Sequence, residues 1–473
     1  MPITLKSKLL SEVKACLELA IPLAAAQAME AAVSLVNTVM MGILGSQALA
    51  TGALGGITFL SILIICGGII DPVGAMVAQA FARGKTDEVS HLTFQGLWLT
   101  AGMSIPIMLL IWYFSSILQL FGQEESLILS VQTYLRVIVW GFPAALGFHL
   151  LRGVASALNR PQILMVILAT EVVLQGLVNY VLMFGKFGLP ALGIVGIGCA
   201  SSLVAWVSFI TAVVFLKFHK NFRDEKIFDT FHQFDKALCL KIFQVGWPVG
   251  LQWGATIGMF AVTSLLMGYL GTEMLAAHEI AFQTEEFLIM IPMGIALATT
   301  ARVGNAIGQK DNKGAKRAAL VSIALGASLM SIVALLIWFF PGYIVAMYLD
   351  PHIHNNEEVV KAAILLLKVA ALFQISNGIQ IITTGALLGL QDTYTSMLIT
   401  LSAYWFVGLG SGYFMGFTLG WGGMGLWLGL AAGLTVAAVV LMWHFYRLIS
   451  QAISISEAEE AQNPDQTQQV LIS

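Results

Sequence analysis

The chain has 473 residues, 58% of them hydrophobic and only 10% charged. A water-soluble domain carries roughly 25% charged residues, so this sequence cannot furnish a water-facing surface and belongs in a bilayer. Its formal net charge of −3 says little about partners, because in a membrane protein the placement of charge outweighs the sum. The lipid bilayer is an expected partner and nucleic acid is not.

Met1–Glu18 carries Lys6, Lys8 and Lys14 ahead of an apolar stretch too long for a cleaved signal, so the first span is expected to be retained. The apolar runs Leu92–Leu120, Val195–Leu216 and Ala318–Phe340 exceed the roughly 20 residues a helix needs to cross hydrocarbon. A barrel strand would be about 9–11 residues of alternating polarity. Twelve helical spans are expected, over 18–43, 50–80, 93–119, 131–156, 161–184, 194–218, 239–269, 274–303, 316–341, 358–389, 393–417 and 423–448.

In the first span Gln27, Glu30, Ser34 and Asn37 form one stripe. The fifth carries Glu171, Gln175 and Asn179, each one turn apart. After the sixth comes the polar stretch His219–Lys236, placing a linker at 219–238. Gln252 and Thr256 share a face of the seventh span. The eighth has two stripes, Glu279, Gln283 and Glu286 beside His278 and Glu285. Gln374, Asn377, Gln380 and Thr384 lie on the tenth. Pro22, Pro72, Pro143, Pro248 and Pro292 fall inside spans, where they free backbone groups and permit bending. The polar tail 449–473 is expected to be disordered.

Nineteen of the 23 Lys and Arg residues fall at the N-terminus, the even-to-odd connections and the C-terminal end; Arg136, Lys186, Lys361 and Lys368 fall on the other side. The positive-inside bias puts both termini in the cytoplasm. An internal repeat supports the even count. At a shift of 226, Pro22 meets Pro248 and Met41-Gly42-Ile43-Leu44-Gly45 meets Met267-Gly268-Tyr269-Leu270-Gly271; at 232, Tyr134-Leu135-Arg136-Val137 meets Leu366-Leu367-Lys368-Val369, and Gly153 meets Gly385. The expected fold is all-α and integral to the membrane. It has two parallel six-helix lobes, 1–218 and 239–448, related by a pseudo-two-fold axis.

An ionisable group at mid-bilayer marks a pathway by default. Glu30, Glu285 and Glu286 lie about half-way across their spans. His278 and Glu279 are near a helix end, where solvation accounts for them equally well, and Glu171 is placed to pair with Arg152 or Arg160. Amides alone commonly tie helices together. A carboxylate in this setting can bind a proton on one side and release it on the other. Glu30 with Asn37 and Asn179, joined by Ser34 and Gln175, could instead ligate Na⁺ if the first and fifth spans adjoin. The sequence leaves H⁺ and Na⁺ both open and calls for no cofactor. Cys16, Cys66, Cys199 and Cys239 show no pair spacing and are expected to pack as small hydrophobes.

The sequence resembles the multidrug-and-toxin-extrusion (MATE) family, its NorM-like bacterial branch most closely, over about residues 10–448. The resemblance rests on Val36-Asn37-Thr38-Val39-Met40-Met41-Gly42, on Asn179-Tyr180-Val181-Leu182-Met183-Phe184-Gly185-Lys186-Phe187-Gly188, on Ala276-Ala277-His278 and Pro292-Met293, and on Arg302-Val303-Gly304-Asn305. It implies a bacterial inner-membrane antiporter, monomeric, that exports amphiphilic or cationic small molecules while H⁺ or Na⁺ enters. Three positions that hold carboxylates in the family hold Asn37, Thr256 and Asn377 here. The expected ion-coupling set is therefore Glu30, Asn37, Gln175, Asn179, Glu285 and Glu286, and the expected substrate-binding set is Gln252, Thr256, Gln283, Asn377 and Gln380. An exporter or flippase of one endogenous metabolite or lipid-linked compound is the alternative on the same scaffold. A channel fits buried carboxylates less well than alternating access does. No Walker A, HExxH or aspartate-rich prenyl-diphosphate motif is present, which argues against an enzyme.

Overall fold

The computed structural model describes residues 5–114, 125–219, 227–349, 353 and 356–462. Among these residues are twelve helices long and apolar enough to cross a membrane: α1 (Leu10–Leu44), α2 (Ser46–Ala82), α3 (Thr86–Trp112), α4 (Glu125–Ala157), α5 (Leu164–Phe184), α6 (Ile194–Phe218), α7 (Lys236–Tyr269), α8 (Thr272–Gly308), α9 (Asn312–Phe339), α10 (Glu357–Gly389), α11 (Thr393–Thr418) and α12 (Gly422–Ala458). Several are interrupted. α2 breaks at Asp71, directly before Pro72, because proline cannot donate the amide that would continue the ladder. α4 tightens into a 3₁₀ turn over Val139–Gly141 ahead of Pro143.

Several ends differ from the expected bounds: α1 begins at Leu10 rather than residue 18 and α4 at Glu125 rather than 131, while α3 ends at Trp112 rather than 119 and α8 runs to Gly308 rather than 303. α3 begins at Thr86 rather than residue 93, with Asp87 and Glu88 in its first turn, where the exposed amides of a helix start favour negative charge. The helix of α12 continues to Gln462, so the expected disordered tail at 449–473 is corrected over its first part. Lys316 Nζ reaches Ser450 Oγ at 3.2 Å, Asn312 donates to the Ala452 carbonyl at 3.1 Å, and Lys313 pairs with Glu457 at 2.7 Å. These bonds extend the helix beyond its apolar stretch; residues 463–473 lie outside the described residues.

The chain divides into two compact units, Ile21–Ile257 and Met1–Ala20 with Gly258–Ser473. The division falls inside α1 and α7 and not in the 219–238 linker. Two features of the first unit explain this. Gly246 and Gly250 let α7 approach α2 closely: a Cβ on Gly250 would sit 2.7 Å from the Ile65 carbonyl oxygen, and one on Gly246 would collide with that of Ile69. The end of the linker is also held along α3. Ser90 donates to the Ile227 carbonyl at 2.8 Å, Trp98 Nε1 donates to that of His232 at 3.3 Å, and Gln95 donates to that of Gln233 at 2.7 Å while accepting from the Asp235 amide at 2.9 Å.

Each unit has its own core. One is built around Tyr134, Phe142, Leu150 and Leu151, the other around Trp427, Phe445, Leu366 and Leu367. The sequence repeat recurs in the backbone. Gly45 has φ 115° and its counterpart Gly271 has φ 117°, a conformation open only to glycine. Both sit directly before the first residue of the next span. Gly84 and Lys310, again 226 apart, have φ 71° and 61°; Asn159 and Gln391, 232 apart, have φ 59° and 63°. Corresponding helices in the two units are therefore followed by a left-handed residue at the same position.

Candidate functional site

Within the Ile21–Ile257 unit the polar residues gather in two clusters. In the first, Asn37 of α1 meets α5 and α6. Its Oδ1 accepts from Gln175 Nε2 at 2.9 Å and from Asn179 Nδ2 at 2.8 Å, while Gln175 Nε2 also lies 3.1 Å from Ser201 Oγ. Gln175 and Asn179 are fully buried. The amides largely satisfy one another, as interhelical amides in membranes commonly do.

The second cluster lies two turns along α1. Arg152 of α4, only 8% exposed, forms an ion pair with Glu30 and donates from the same Nη1 to Gln27 Oε1 at 2.8 Å. Its Nη2 lies 3.0 Å from His149 Nδ1, and His149 Nε2 lies 2.8 Å from Asp71 Oδ1. Asp71, His149, Arg152 and Glu30 thus form one continuous polar chain across α2, α4 and α1. Sequence reasoning found Glu30 but missed Asp71 and His149, and it considered Arg152 only as a partner for Glu171. The legible signals were the Asp71-Pro72 break and the i, i+3 spacing of His149 and Arg152.

The Na⁺ set expected from Glu30, Asn37 and Asn179 is not brought together. Seven residues of helix separate Glu30 from Asn37, about 10 Å of rise, and Glu30 is engaged by a guanidinium. Among the described residues no group of three or more His, Cys, Asp or Glu is arranged to hold a metal ion. Glu171 lies neither in the Arg152 chain nor in the amide cluster. It lines a cavity of about 240 Å³ between α5 and α6, with Ser208, Thr170 and Thr211 among apolar side chains. Gln252 is buried, and Thr256 donates to the Gln252 carbonyl at 2.9 Å within α7.

In the other unit the two stripes of α8 separate by one step of helical rotation. Glu285 and His278 point inward and are buried, whereas Glu279, Gln283 and Glu286 are exposed. Glu286 therefore does not share the setting of Glu285. Gln374 of α10 lies beside Glu285. Glu285 Oε1 has no hydrogen-bond partner among the described residues. Asn377 is buried on the same helix, as is Gln380, which donates to Thr384 Oγ1 at 3.3 Å. His278, which the sequence left between solvation and function, is wholly buried: Nε2 lies 2.9 Å from Ser264 Oγ, and Trp427 Nε1 donates to Nδ1.

A family model described as MatE matches residues 22–181 and 248–414, well over half of the chain. The chain belongs to the MATE family. Members are transporters and not enzymes, and this MATE chain is a multi-pass membrane protein with twelve spans. A protein of Synechococcus sp. described as a probable multidrug resistance protein NorM is 36% identical over 438 residues, which is 93% of this transporter and 94% of the relative. A protein of the same description from Synechocystis sp. is 35% identical over 456 residues, 96% and 99% of the two chains. The outward-facing structure of a multidrug resistance MATE family transporter of the MOP superfamily matches with a TM-score of 0.84 at 17% identity, covering 93% of this transporter and 96% of that chain. A crystal structure of MATE in the bent conformation matches at 0.85 and 18% identity, covering 96% and 99%. At that identity the two structures establish the MATE fold alone.

Proposed function

We propose that this MATE transporter exports amphiphilic or cationic small molecules in exchange for H⁺ or Na⁺, by alternating access of its two lobes. One observation carries the reading. Among the described residues Glu285 is a buried carboxylate with no cationic partner, beside the side-chain amide of Gln374. A charge placed this way inside a membrane bundle has to be balanced by a bound proton or cation, which makes the position an ion-binding station. Glu30, whose counter-charge is Arg152, is the proposed ion-coupling carboxylate of the other unit. Gln252, Thr256, Gln283, Asn377 and Gln380 are the proposed substrate contacts. The NorM-type relatives support drug-like cargo, and their bacterial origin supports residence in the inner membrane. The basic-residue asymmetry supports cytoplasmic termini, and we take the working unit to be a monomer.

Ethidium efflux from inverted vesicles under imposed H⁺ or Na⁺ gradients tests this. Wild type should transport under at least one gradient, and both Glu285→Gln and Glu30→Gln should lose most of that dependence. Unchanged gradient-driven transport in either variant would remove that residue from the mechanism. Accumulation of a single endogenous compound in cells lacking the gene, with unaltered drug susceptibility, would favour the specific exporter instead.

A further inference from the structure

Hydrogen-bond direction in the Asp71–His149–Arg152–Glu30 chain fixes more than an ion pair. A guanidinium has donors only. The 3.0 Å contact from Arg152 Nη2 to His149 Nδ1 therefore requires Nδ1 to accept, and the imidazole is neutral with its proton on Nε2. That N–H points at Asp71 Oδ1, 2.8 Å away, the partner this tautomer needs. Two neighbours on opposite sides of one ring thus select a single protonation state.

We propose that His149 is a proton-binding site of this transporter and that taking up the proton releases Arg152 from the imidazole. A proton on Nδ1 turns an acceptor into a donor, so Arg152 Nη2 and His149 Nδ1 can no longer bond. It also sets an imidazolium against a guanidinium at contact distance. Arg152 then keeps only Glu30 and Gln27, both on α1. Proton uptake on α4 is in this way exclusive with a contact that ties α4's arginine back to its own helix, and the arginine is left wholly to α1.

The charge balance suits the step. Asp71 and Glu30 bring two negative charges and Arg152 one positive, so the cluster is one charge short of neutral and a single proton completes it. His149 faces Asp71 from α2, Arg152 from its own helix and, through Arg152, Glu30 from α1; Glu171 of α5 contributes to the field at Glu30. The ring is also only partly enclosed, with 27% of the side chain exposed. Gly67, on the same helix as Asp71, also lies against the ring: a Cβ there would come within 3.1 Å of Nε2, so the glycine leaves the imidazole its place.

The proposal rests on the cation-coupled reading above, and two measurements separate their failures. In inverted vesicles, ethidium efflux driven by a proton gradient should fall at least tenfold in His149→Gln, which retains a polar side chain. An unchanged rate overturns the proposal and leaves the transport reading intact. The second measurement needs no transport. In the full-length protein with ¹⁵N-labelled histidine, the resonance absent from His149→Gln should show an unprotonated Nδ1 and a protonated Nε2 at the alkaline end of the range over which the protein stays folded, and a protonated Nδ1 at its acidic end. An Nδ1-protonated ring at the alkaline end, or a ring indifferent to pH across that range, overturns the proposal. Should wild type move no ethidium under either gradient, the functional reading fails and the spectrum alone decides this one. Should His149→Gln misfold by gel filtration, Gly67→Ala, which crowds the ring without removing it, takes its place in the efflux assay with the same expected loss.

Discussion

The indole N–H of Trp427 donates to Nδ1 of His278 across 3.1 Å, with both side chains fully enclosed. A donor buried this way costs about 1–3 kcal/mol when it is left without a partner. Trp427→Phe removes the donor and leaves His278 Nδ1 unpaired, and His278→Leu leaves the indole and the Ser264 hydroxyl unpaired. Both should lower the thermal unfolding midpoint in detergent, with His278→Leu lowering it more, as read by intrinsic fluorescence. If His278→Leu matches wild type, the histidine is not a structural anchor.

Glu12 accepts from Arg317 Nε at 2.8 Å and pairs with Arg302 as well. Both Glu12 and Arg302 are largely buried, at 16% and 11% side-chain exposure. Removing the shared anion leaves two cations facing each other, and breaking a buried pair costs about 3–5 kcal/mol. Glu12→Ala should therefore be strongly destabilising. Arg317→Ala, whose side chain is 38% exposed, should cost far less. Thermal melts of the two variants check the order.

Asn37 stands where the family resemblance places a carboxylate, and its Oδ1 already accepts two amide bonds. An aspartate there could keep both bonds and face Ser201 with its second oxygen. Asn37→Asp should fold and should acquire Na⁺-dependent stabilisation at constant ionic strength, with choline as the control cation; wild type should show none from this site. An equal response to Na⁺ in both proteins would count against the argument.

Gln95 is fully buried and bridges the Gln233 carbonyl and the Asp235 amide. Gln95→Leu leaves both backbone groups without their partner, at about 1–3 kcal/mol for each buried group left unsatisfied. Limited proteolysis read by mass spectrometry should then cut within 227–235 faster than in wild type, by an order of magnitude if the segment opens as one piece.

The apolar runs made the twelve spans legible, though not all of their ends, because hydrocarbon tolerates so few alternatives. Two of the ends that differed carry polar contacts that hydropathy does not register: acidic residues in the first turn of α3, and the bonds from Asn312, Lys313 and Lys316 to the end of α12. The site was legible in part. Glu30 stood out because it is charged and belongs to a stripe. Asp71 and His149 are single polar residues in apolar stretches, and nothing local announces that they meet 78 positions apart. On α8, Glu285 and Glu286 looked equivalent in sequence. A rotation of about 100° per residue sends one into the bundle and leaves the other exposed.

The binding of Ile227–Asp235 along α3, with the start of α7 pressed onto α2, bears on how the protein can be taken apart. A gene cut within 220–226 would yield two polypeptides, each carrying a structural piece of the other's unit. The downstream fragment would bring residues 227–257 to the first unit, and the upstream fragment would bring its opening twenty residues to the second. Such fragments are self-addressed: co-expressed, they carry the means to find each other without a tether. A reporter fused at that cut would read reassembly, not mere proximity.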